Sequence, residues 1–588
     1  MHKIFSKKLV TTLGIALASL SIAFMIGCNS SDSETEPDPE PIPEPKTAAE
    51  RCADIQDASL ADTRIEVAQM QLATDEAPEY CEVLGSINER VSEIDGQNYA
   101  IRFHLSLPTE WNGRFYFSGG GGTDGNLGGP NIGLIAQGFA VVSTDSGHDS
   151  NINRTELAGD YQFGFDPQAR IDYGYNGPAQ VTEKAKSLTE SFYENPIDYA
   201  YFVGCSEGGR EGLMFSQRYP DYFDGIVAGN PGMDLPKAAI AQAWDSQAFA
   251  QAARSETPFG NPDLASAFSE QELALVGQAI VAACDADDGL ADGMLFNPAA
   301  CAFNPESLGP AGTAELTLAQ VTALQKIVGG AKNSSGENLY SGWYWDPGMA
   351  AGGWRIWKVG PLAPIPGNSG LNVTLGGGAL PFIFTTAPNS MTHGTALAEG
   401  TKITTSNPLG QPNTVGFGDA FVPWILSFDM DNDAPKIAAS DATYTESALD
   451  FMASSSTDYA DFKQKGNKLL VYSGQADPVF STKYHLQWYN ELITQNGGLD
   501  STRDFARLYL VPGMNHCGGG PATSDFDALT AVMSWVEDNE VPVSLVGTAP
   551  SDSPWPGRTR PLCAYPEQAR YMGTGDSEDQ ANFSCGLP

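Results

Sequence analysis

Ser206 lies at the centre of a G-x-S-x-G pentapeptide, residues 204–208, a pattern that can make a serine hydroxyl a nucleophile. An apolar run at 199–203 precedes it and a helical pattern at 208–219 follows it. This order predicts a tight turn between a strand and a helix, which would hold the hydroxyl above a sheet. The alternative is a chance match in a chain with 63 Gly, but the strand and helix on either side favour a nucleophile.

A serine nucleophile needs a general base, and His516 is the best placed of the six histidines. It lies in a loop, residues 512–520, directly after a predicted strand at 505–511. Loops at the carboxyl ends of strands are where such folds present a catalytic histidine. The other histidines lie in the leader, on an early strand, after another strand, in mid-chain and in a predicted helix: His2, His104, His148, His393 and His485.

The base in turn needs a carboxylate to orient it. Asp477 follows an apolar strand that begins at Lys468, and it lies between the serine and the histidine in chain order, as in this hydrolase arrangement. Asp-Pro pairs also start ordinary turns, and that alternative stays open. Phe480, three residues further on, is a candidate substrate contact.

A run of glycines at 119–122 follows the predicted strand at 113–117. Backbone without side chains can approach a substrate closely there, so the amides of Gly121 and Gly122 are candidate oxyanion donors. The amide of Glu207, next to the nucleophile, is the expected second donor. A flexible turn is the alternative, and phosphate binding is disfavoured because no Gly-Lys-Ser/Thr follows.

These residues must be positioned by alternating strands and helices. Besides the segments already named, periodicity predicts strands at 99–107 and 138–143 and a helix at 179–193. Such alternation is typical of a parallel α/β sheet. We therefore predict a catalytic domain formed by residues 48–232 and 455–588.

Residues 233–454 change in character, from helical patterns to long loops rich in Gly and Trp. Because long loops in compact proteins are usually functional or disordered, we predict that this insertion forms a lid over the site. Within it, Asp285, Asp288 and Asp292 have the spacing of a metal-binding loop, and hard oxygen ligands favour Ca²⁺. The loop is not an EF-hand, since no Glu closes it, and a solvated acidic loop is the alternative.

The amino-terminal segment predicts export. Residues 1–28 combine a basic start, an apolar run and Met-Ile-Gly-Cys28, which resembles a bacterial lipobox. We expect Cys28 to anchor the chain in an envelope membrane, with secretion without lipid as the alternative. Residues 29–47 alternate Pro and acidic residues and predict a disordered spacer.

The net charge of −40, from 72 acidic and 32 basic residues, argues against nucleic acid and anionic polymers as partners. We expect a small-molecule substrate and no membrane contact except through the anchor.

Eight cysteines remain when Cys28 is set aside, an even number that predicts disulfides in an exported chain. Parity does not fix the connectivity. Sequence proximity favours Cys52–Cys81, Cys284–Cys301 and Cys563–Cys585, which leaves Cys205 with Cys517. Cys205 precedes Ser206 and Cys517 follows His516. The two cysteines would therefore be close enough to form a disulfide if the side chains of Ser206 and His516 are in contact.

The paired Cys205-Ser206 and His516-Cys517, with Asp477 between them, resemble the tannase and feruloyl esterase family, which includes mono(2-hydroxyethyl) terephthalate hydrolase. The resemblance extends through residues 119–125, 204–232, 286–301 and 560–585 and covers most of the chain outside the linker.

This resemblance implies an α/β-hydrolase fold with a large inserted lid and hydrolysis of carboxylic esters of aromatic acids. The acyl group would be feruloyl, galloyl or mono(2-hydroxyethyl) terephthalate-like. It also implies a structural calcium held by the three Asp carboxylates and the carbonyls of Leu290 and Met294. Two alternatives remain: a tannase-type galloyl ester hydrolase, and a non-catalytic surface-anchored binding protein on a hydrolase fold.

Overall fold

The computed structural model describes residues 45–154, 158–257, 260–361, 369–388 and 421–588. The leader, Cys28, nearly all of the predicted spacer and His393 lie outside these residues.

A nine-stranded mixed sheet organises the molecule, with the spatial order β1-β2-β3-β5-β4-β6-β7-β8-β9. Its strands are β1 (Thr63–Gln71), β2 (Tyr80–Val91), β3 (Asn98–Pro108), β4 (Arg114–Ser118), β5 (Ala140–Thr144), β6 (Tyr199–Cys205), β7 (Gly225–Gly229), β8 (Lys468–Gly474) and β9 (Ala506–Val511). Strands β1 to β3 pair antiparallel, and β3 pairs antiparallel with β5. The remaining strands, from β5 to β9 across the sheet, are parallel. This confirms the predicted α/β-hydrolase fold.

The carboxyl ends of parallel strands meet at one edge of a sheet, so the loops after β6, β8 and β9 come together. Those loops carry Ser206, Asp477 and His516. Their apolar cores explain why these strands were predictable: Phe202, Leu470 and Leu508 are fully buried.

Helices cover the sheet and build the insertion. Outside the insertion they are α1 (Ala48–Gln56), α2 (Ile132–Ile135), α3 (Pro167–Ile171), α4 (Gly177–Tyr193), α5 (Glu207–Arg218), α13 (Ala460–Gln464), α14 (Thr482–Gln495), α15 (Leu499–Arg503) and α16 (Ala528–Glu537). Within it they are α6 (Leu235–Ala252), α7 (Glu270–Cys284), α8 (Leu318–Val328), α9 (Gly352–Lys358), α10 (Leu371–Ala379), α11 (Val422–Ser427) and α12 (Ala448–Phe451). None of the helices in the described residues is long and apolar enough to cross a bilayer.

The insertion between β7 and β8 has a hydrophobic core that also includes Tyr173, Val479 and Phe480 from the sheet side. The described residues from Lys46 to Pro588 form one compact unit. The division into a catalytic domain and a separate lid domain therefore stays a prediction. Two small sheets complete the carboxyl-terminal part, formed by β10 (Ser544–Thr548) with β11 (Thr559–Cys563), and β12 (Gln568–Tyr571) with β13 (Phe583–Gly586).

The described part of the chain contains four disulfides, with the pairing that sequence proximity favoured. Cys205–Cys517 joins residues 312 positions apart, with 6.0 Å between their Cα atoms. It ties the end of β6 to the loop after β9.

Candidate active site

Ser206 occupies a strained turn between β6 and α5. Its φ of 66° and ψ of −119° place a non-glycine residue in a sparsely populated region, as a nucleophile elbow requires. The flanking glycines make that turn possible. A Cβ on Gly204 would lie 2.5 Å from the carbonyl carbon of Gly208, and one on Gly208 would lie 2.8 Å from the carbonyl oxygen of Gly120.

The three residues predicted for catalysis form a continuous hydrogen-bonded chain. His516 Nε2 lies 2.8 Å from Ser206 Oγ, and His516 Nδ1 lies 2.9 Å from Asp477 Oδ2. Because an ionised carboxylate only accepts hydrogen bonds, Nδ1 carries the proton and Nε2 is left to accept the serine proton. The arrangement can therefore activate Ser206 for attack on a carbonyl carbon.

Asp477 is fully buried and held as a carboxylate. Burial alone would raise the pKa of Asp477, but His516 and the backbone amides of Val479 and Phe480 outweigh it, so the pKa lies below its usual range. Those amides donate to Oδ1 at 2.7 and 3.1 Å. The side chain of Asn230, which sequence analysis did not single out, donates to Oδ2 at 2.6 Å. The Gly-Asn-Pro sequence directly after β7 is the pattern that could have indicated a polar residue at this edge of the sheet.

Two aromatic rings hold the imidazole of His516. Trp357, on α9, packs edge-on against it with ring centroids 4.8 Å apart, and Phe480 does so at 5.4 Å. Both aromatic residues also line the cavity that contains Ser206. The structure thus places Phe480 at the site as predicted, and adds Trp357.

The other described histidines are engaged elsewhere. His104 lies 3.1 Å from Glu82, and His148 is buried and stacked on Phe163 with centroids 3.7 Å apart. His485 is buried between the Ser473 hydroxyl and the carbonyl of Pro231, at 2.8 and 2.9 Å. None of these three contacts Ser206 in the described part of the chain.

The glycine loop after β4 contains Gly121 and Gly122, the two candidates for the oxyanion donor of this loop. The Gly121 amide donates to Asp124 Oδ1 at 2.8 Å, so it is already hydrogen-bonded, which favours Gly122 for this role. Gly122 lines the cavity beside Ser206 and Glu207. The amides of Gly122 and Glu207 remain the predicted pair, and that of Glu207 opens helix α5, whose dipole favours negative charge there.

The cavity at Ser206 is mostly apolar. Its lining comprises Gly122, Thr123, Tyr173, Ser206, Glu207, Leu235, Ala239, Gln242, Trp357, Leu375, Gly376, Ala379, Phe384, Val479 and Phe480. About half of these residues come from the insertion, in α6, α9, α10 and the turn that follows α10. The insertion therefore covers the candidate site, as a lid would.

The predicted calcium loop is closed by the Cys284–Cys301 disulfide. Asp285 and Asp288 each accept hydrogen bonds from backbone amides of the loop, and Asp292 pairs with Arg560. The donor set of carboxylates and carbonyls suits a hard cation. Within the described residues, however, no three acidic, His or Cys side chains lie close enough together to hold a metal. The calcium site stays a prediction.

With this sheet order and its nucleophile turn, the molecule is an α/β-hydrolase. Comparison with known proteins defines its family. A family model described as tannase and feruloyl esterase matches residues 81–361 and 354–586. Mono(2-hydroxyethyl) terephthalate hydrolase of Piscinibacter sakaiensis is 40% identical over 543 residues, covering 87% of this chain and 85% of that protein.

Feruloyl esterase B of Aspergillus niger is 26% identical over 499 residues, covering 82% of each chain. The crystal structure of feruloyl esterase B from Aspergillus oryzae superposes with a TM-score of 0.70 at 21% identity, covering 92% of this chain and 100% of that one, which supports the fold. The chain belongs to the tannase and feruloyl esterase family, and it is a carboxylic ester hydrolase.

Proposed function

We propose that the chain hydrolyses carboxylic esters of aromatic acids through an acyl-enzyme on Ser206. The observation that carries this proposal is the hydrogen-bonded chain from Ser206 through His516 to Asp477. The apolar, aromatic-lined cavity at Ser206 supports an aromatic acyl group. The names of the two sequence relatives, which refer to terephthalate and feruloyl esters, support the same substrate class.

In the first step, Ser206 Oγ attacks the ester carbonyl while His516 Nε2 takes the hydroxyl proton. Asp477 stabilises the imidazolium, and the amides of Gly122 and Glu207 stabilise the negative charge on the carbonyl oxygen. The carbon–oxygen bond to the alcohol then breaks, and His516 returns its proton to the leaving alkoxide. His516 then takes a proton from water, which attacks the acyl carbon. The bond to Ser206 Oγ breaks, His516 returns the proton to Oγ, and the acid is released.

A panel of aromatic esters assayed on the purified protein tests this proposal. We expect turnover of at least one of methyl ferulate, methyl gallate and mono(2-hydroxyethyl) terephthalate, and their relative rates separate a feruloyl from a galloyl specificity. Ser187→Ala, on the exposed side of α4, is a matched control that should keep full activity. No turnover of any aromatic ester, with turnover of short aliphatic esters, would contradict the proposed acyl class.

We further propose that the acidic loop binds a structural calcium through Asp285, Asp288, Asp292 and the carbonyls of Leu290 and Met294. Backbone amides already orient the carboxylates of Asp285 and Asp288, and the disulfide closes the loop. Calcium there would neutralise like charges and would take no part in the ester chemistry.

We also propose that the chain is exported and anchored by a lipid at Cys28, because residues 1–28 resemble a bacterial lipoprotein leader. The acidic, proline-rich residues that follow would hold the enzyme away from the membrane surface.

A further inference from the structure

Arg210 is a fully buried cation on α5, one helical turn beyond the nucleophile. Its Nε donates to Glu207 Oε1 at 2.6 Å, and its Nη2 lies 2.5 Å from the same oxygen. Burial raises the pKa of the Glu207 carboxyl, and the charge of Arg210 acts in the opposite direction. Because a buried ion pair costs desolvation free energy, stability alone does not explain its place beside the nucleophile.

The rest of the Arg210 guanidinium holds a second segment, Asp172–Asn176, which connects α3 to α4. Nη1 donates to the carbonyl of Gly174 at 2.7 Å, and Nη2 donates to that of Tyr173 at 3.3 Å. A guanidinium presents five donors in one rigid plane. It therefore keeps the Glu207 carboxylate and this segment in a fixed relation to each other.

Tyr173 extends this connection to the glycine loop after β4. Its hydroxyl donates to the carbonyl of Gly122 at 3.2 Å. Burial raises the pKa of Tyr173 well above its usual value, so the hydroxyl keeps the proton that it donates. The ring packs edge-on against Phe163 and His148, with centroids 5.3 and 6.1 Å away. Gly122 has a φ of 66°, in the left-handed region, and the bond to its carbonyl restrains it there.

We propose that Arg210 and Tyr173 are positioning residues for the oxyanion hole. The two candidate donors, the amides of Gly122 and Glu207, follow different strands and must point at one oxygen atom. Arg210 holds the side chain of Glu207 and, through Tyr173, the backbone of Gly122. The inference rests on the proposed function, because the alignment of these amides matters only if Ser206 attacks a carbonyl carbon.

Two measurements separate positioning from ground-state binding. The first is kcat/KM for 4-nitrophenyl benzoate. The second compares the Ki values of 2,2,2-trifluoroacetophenone and benzamide. The ketone accepts a bond from Ser206 Oγ, the serine proton passes to His516, and the carbonyl oxygen becomes an oxyanion in the hole. Benzamide binds without this step, so displaced donors should weaken the ketone and spare the amide.

Tyr173→Phe removes the hydroxyl and keeps the ring. We expect kcat/KM to fall about tenfold and the Ki of the ketone to rise by a similar factor, with the Ki of benzamide within about threefold of wild type. Arg210→Met combined with Glu207→Gln leaves no buried charge unpaired, and should give the same pattern with a loss of at least about tenfold. The triple variant should stay within about threefold of this double variant, since the residues act through one path.

Tyr489→Phe is the matched control. Its buried hydroxyl also donates to a backbone carbonyl, that of Ala506 at 2.9 Å, at the opposite end of β9 from the His516 loop. This variant should keep the wild-type kcat/KM and both Ki values.

Each other outcome counts against a stated part of the proposal. An unchanged kcat/KM in Tyr173→Phe or in the double variant removes the role of the residue replaced. Equal weakening of the ketone and benzamide would mean general damage to the cavity and overturns the positioning role. Losses that multiply in the triple variant overturn the link between Arg210 and Tyr173. A wild type that neither hydrolyses the benzoate nor binds the ketone overturns the proposed function itself.

Discussion

At the scale of single residues, two buried acids behind the nucleophile anchor the glycine loop. Glu211, on α5, accepts a hydrogen bond from the Gly120 amide at 2.8 Å, and Asp124 accepts one from the Gly121 amide. Both side chains are nearly inaccessible to solvent. Because the Gly120 and Gly121 amides are hydrogen-bonded to these acids, the amide of Gly122, which lines the cavity, is the candidate oxyanion donor of this loop.

The electrostatic surroundings of Glu211 lead to a pH prediction. Burial, and to a smaller extent the charge of Glu207, raise the pKa of Glu211 to about 7, while Arg210 acts in the opposite direction. Burial also raises the pKa of Asp124 well above its ordinary value. The folded pKa of Glu211 exceeds its unfolded value of about 4.3, so protonated Glu211 contributes its full stability below about pH 4.3. This contribution is lost as the pH rises from about 4.3 to 7.

Glu211→Gln keeps an acceptor for the Gly120 amide but cannot ionise. We therefore expect its stability relative to wild type to increase between pH 5 and pH 8, by about 1–3 kcal/mol. Thermal or urea unfolding at the two pH values measures this difference. Glu110→Gln, at an exposed position, should show no such trend. A stability difference for Glu211→Gln that is the same at both pH values would show that Glu211 does not titrate in this range.

At the scale of elements, the Cys205–Cys517 disulfide connects the turn that carries Ser206 to the loop that carries His516. These two side chains must stay within hydrogen-bond distance for proton transfer, and small misplacements of reacting groups lower rates strongly. The bond also closes the longest loop of the four disulfides, so it contributes about 6 kcal/mol in the chain-entropy description.

The double variant Cys205→Ala with Cys517→Ala should lower kcat by at least about tenfold with little change in KM, since positioning and not binding is lost. Steady-state kinetics at a temperature where the variant is folded measures this. Cys563→Ala with Cys585→Ala, which removes the disulfide of the carboxyl-terminal sheets, should lower stability and leave kcat unchanged. Equal kcat in wild type and the Cys205/Cys517 variant would remove the positioning role.

The acidic loop is a second element whose role can be tested without any activity assay. If calcium binds only the folded state, a hundredfold excess over Kd stabilises it by about 2.7 kcal/mol. Chelation should lower the Tm, and Ca²⁺ should restore it better than Mg²⁺, which gives up its waters reluctantly.

Asp292→Asn should abolish the calcium-dependent shift in Tm. Asp287→Asn, in the same loop but outside the predicted ligand set, should keep it. A melting curve that is the same with excess chelator and with Ca²⁺ would show that the loop is a solvated surface feature.

At the scale of the whole molecule, the sequence predicts the parallel strands of the sheet except β7, and the structure brings the three residues predicted for catalysis within hydrogen-bond distance of one another. Strands such as β6 and β8 are continuous apolar runs, because both of their faces are covered by helices. Strands β1 and β2 were not predicted. β1 lies at the sheet edge and none of its residues is fully buried, so it lacks the apolar run that marks the inner strands.

The details of the site depend on contacts that local sequence patterns do not encode. Asn230 reaches Asp477 across 247 residues, and the choice between Gly121 and Gly122 depends on the side chain of Asp124.

The leader and spacer lead to a prediction about where the whole molecule resides. If Cys28 is lipidated, the full-length protein expressed in a bacterial host should partition into the detergent phase of Triton X-114. Cys28→Ala should move it to the aqueous phase, whereas Ser206→Ala should leave the partition unchanged. Recovery of the wild-type protein in the aqueous phase would favour secretion without lipid.

The most direct test of the central claim is covalent labelling of the proposed nucleophile. A fluorophosphonate should add once per molecule, at Ser206 by peptide mapping, and ester hydrolysis should fall in proportion to the labelled fraction. Ser206→Ala should take no label and lose at least about 1,000-fold in kcat. Labelling at another residue, or hydrolysis by Ser206→Ala within tenfold of wild type, would contradict the mechanism.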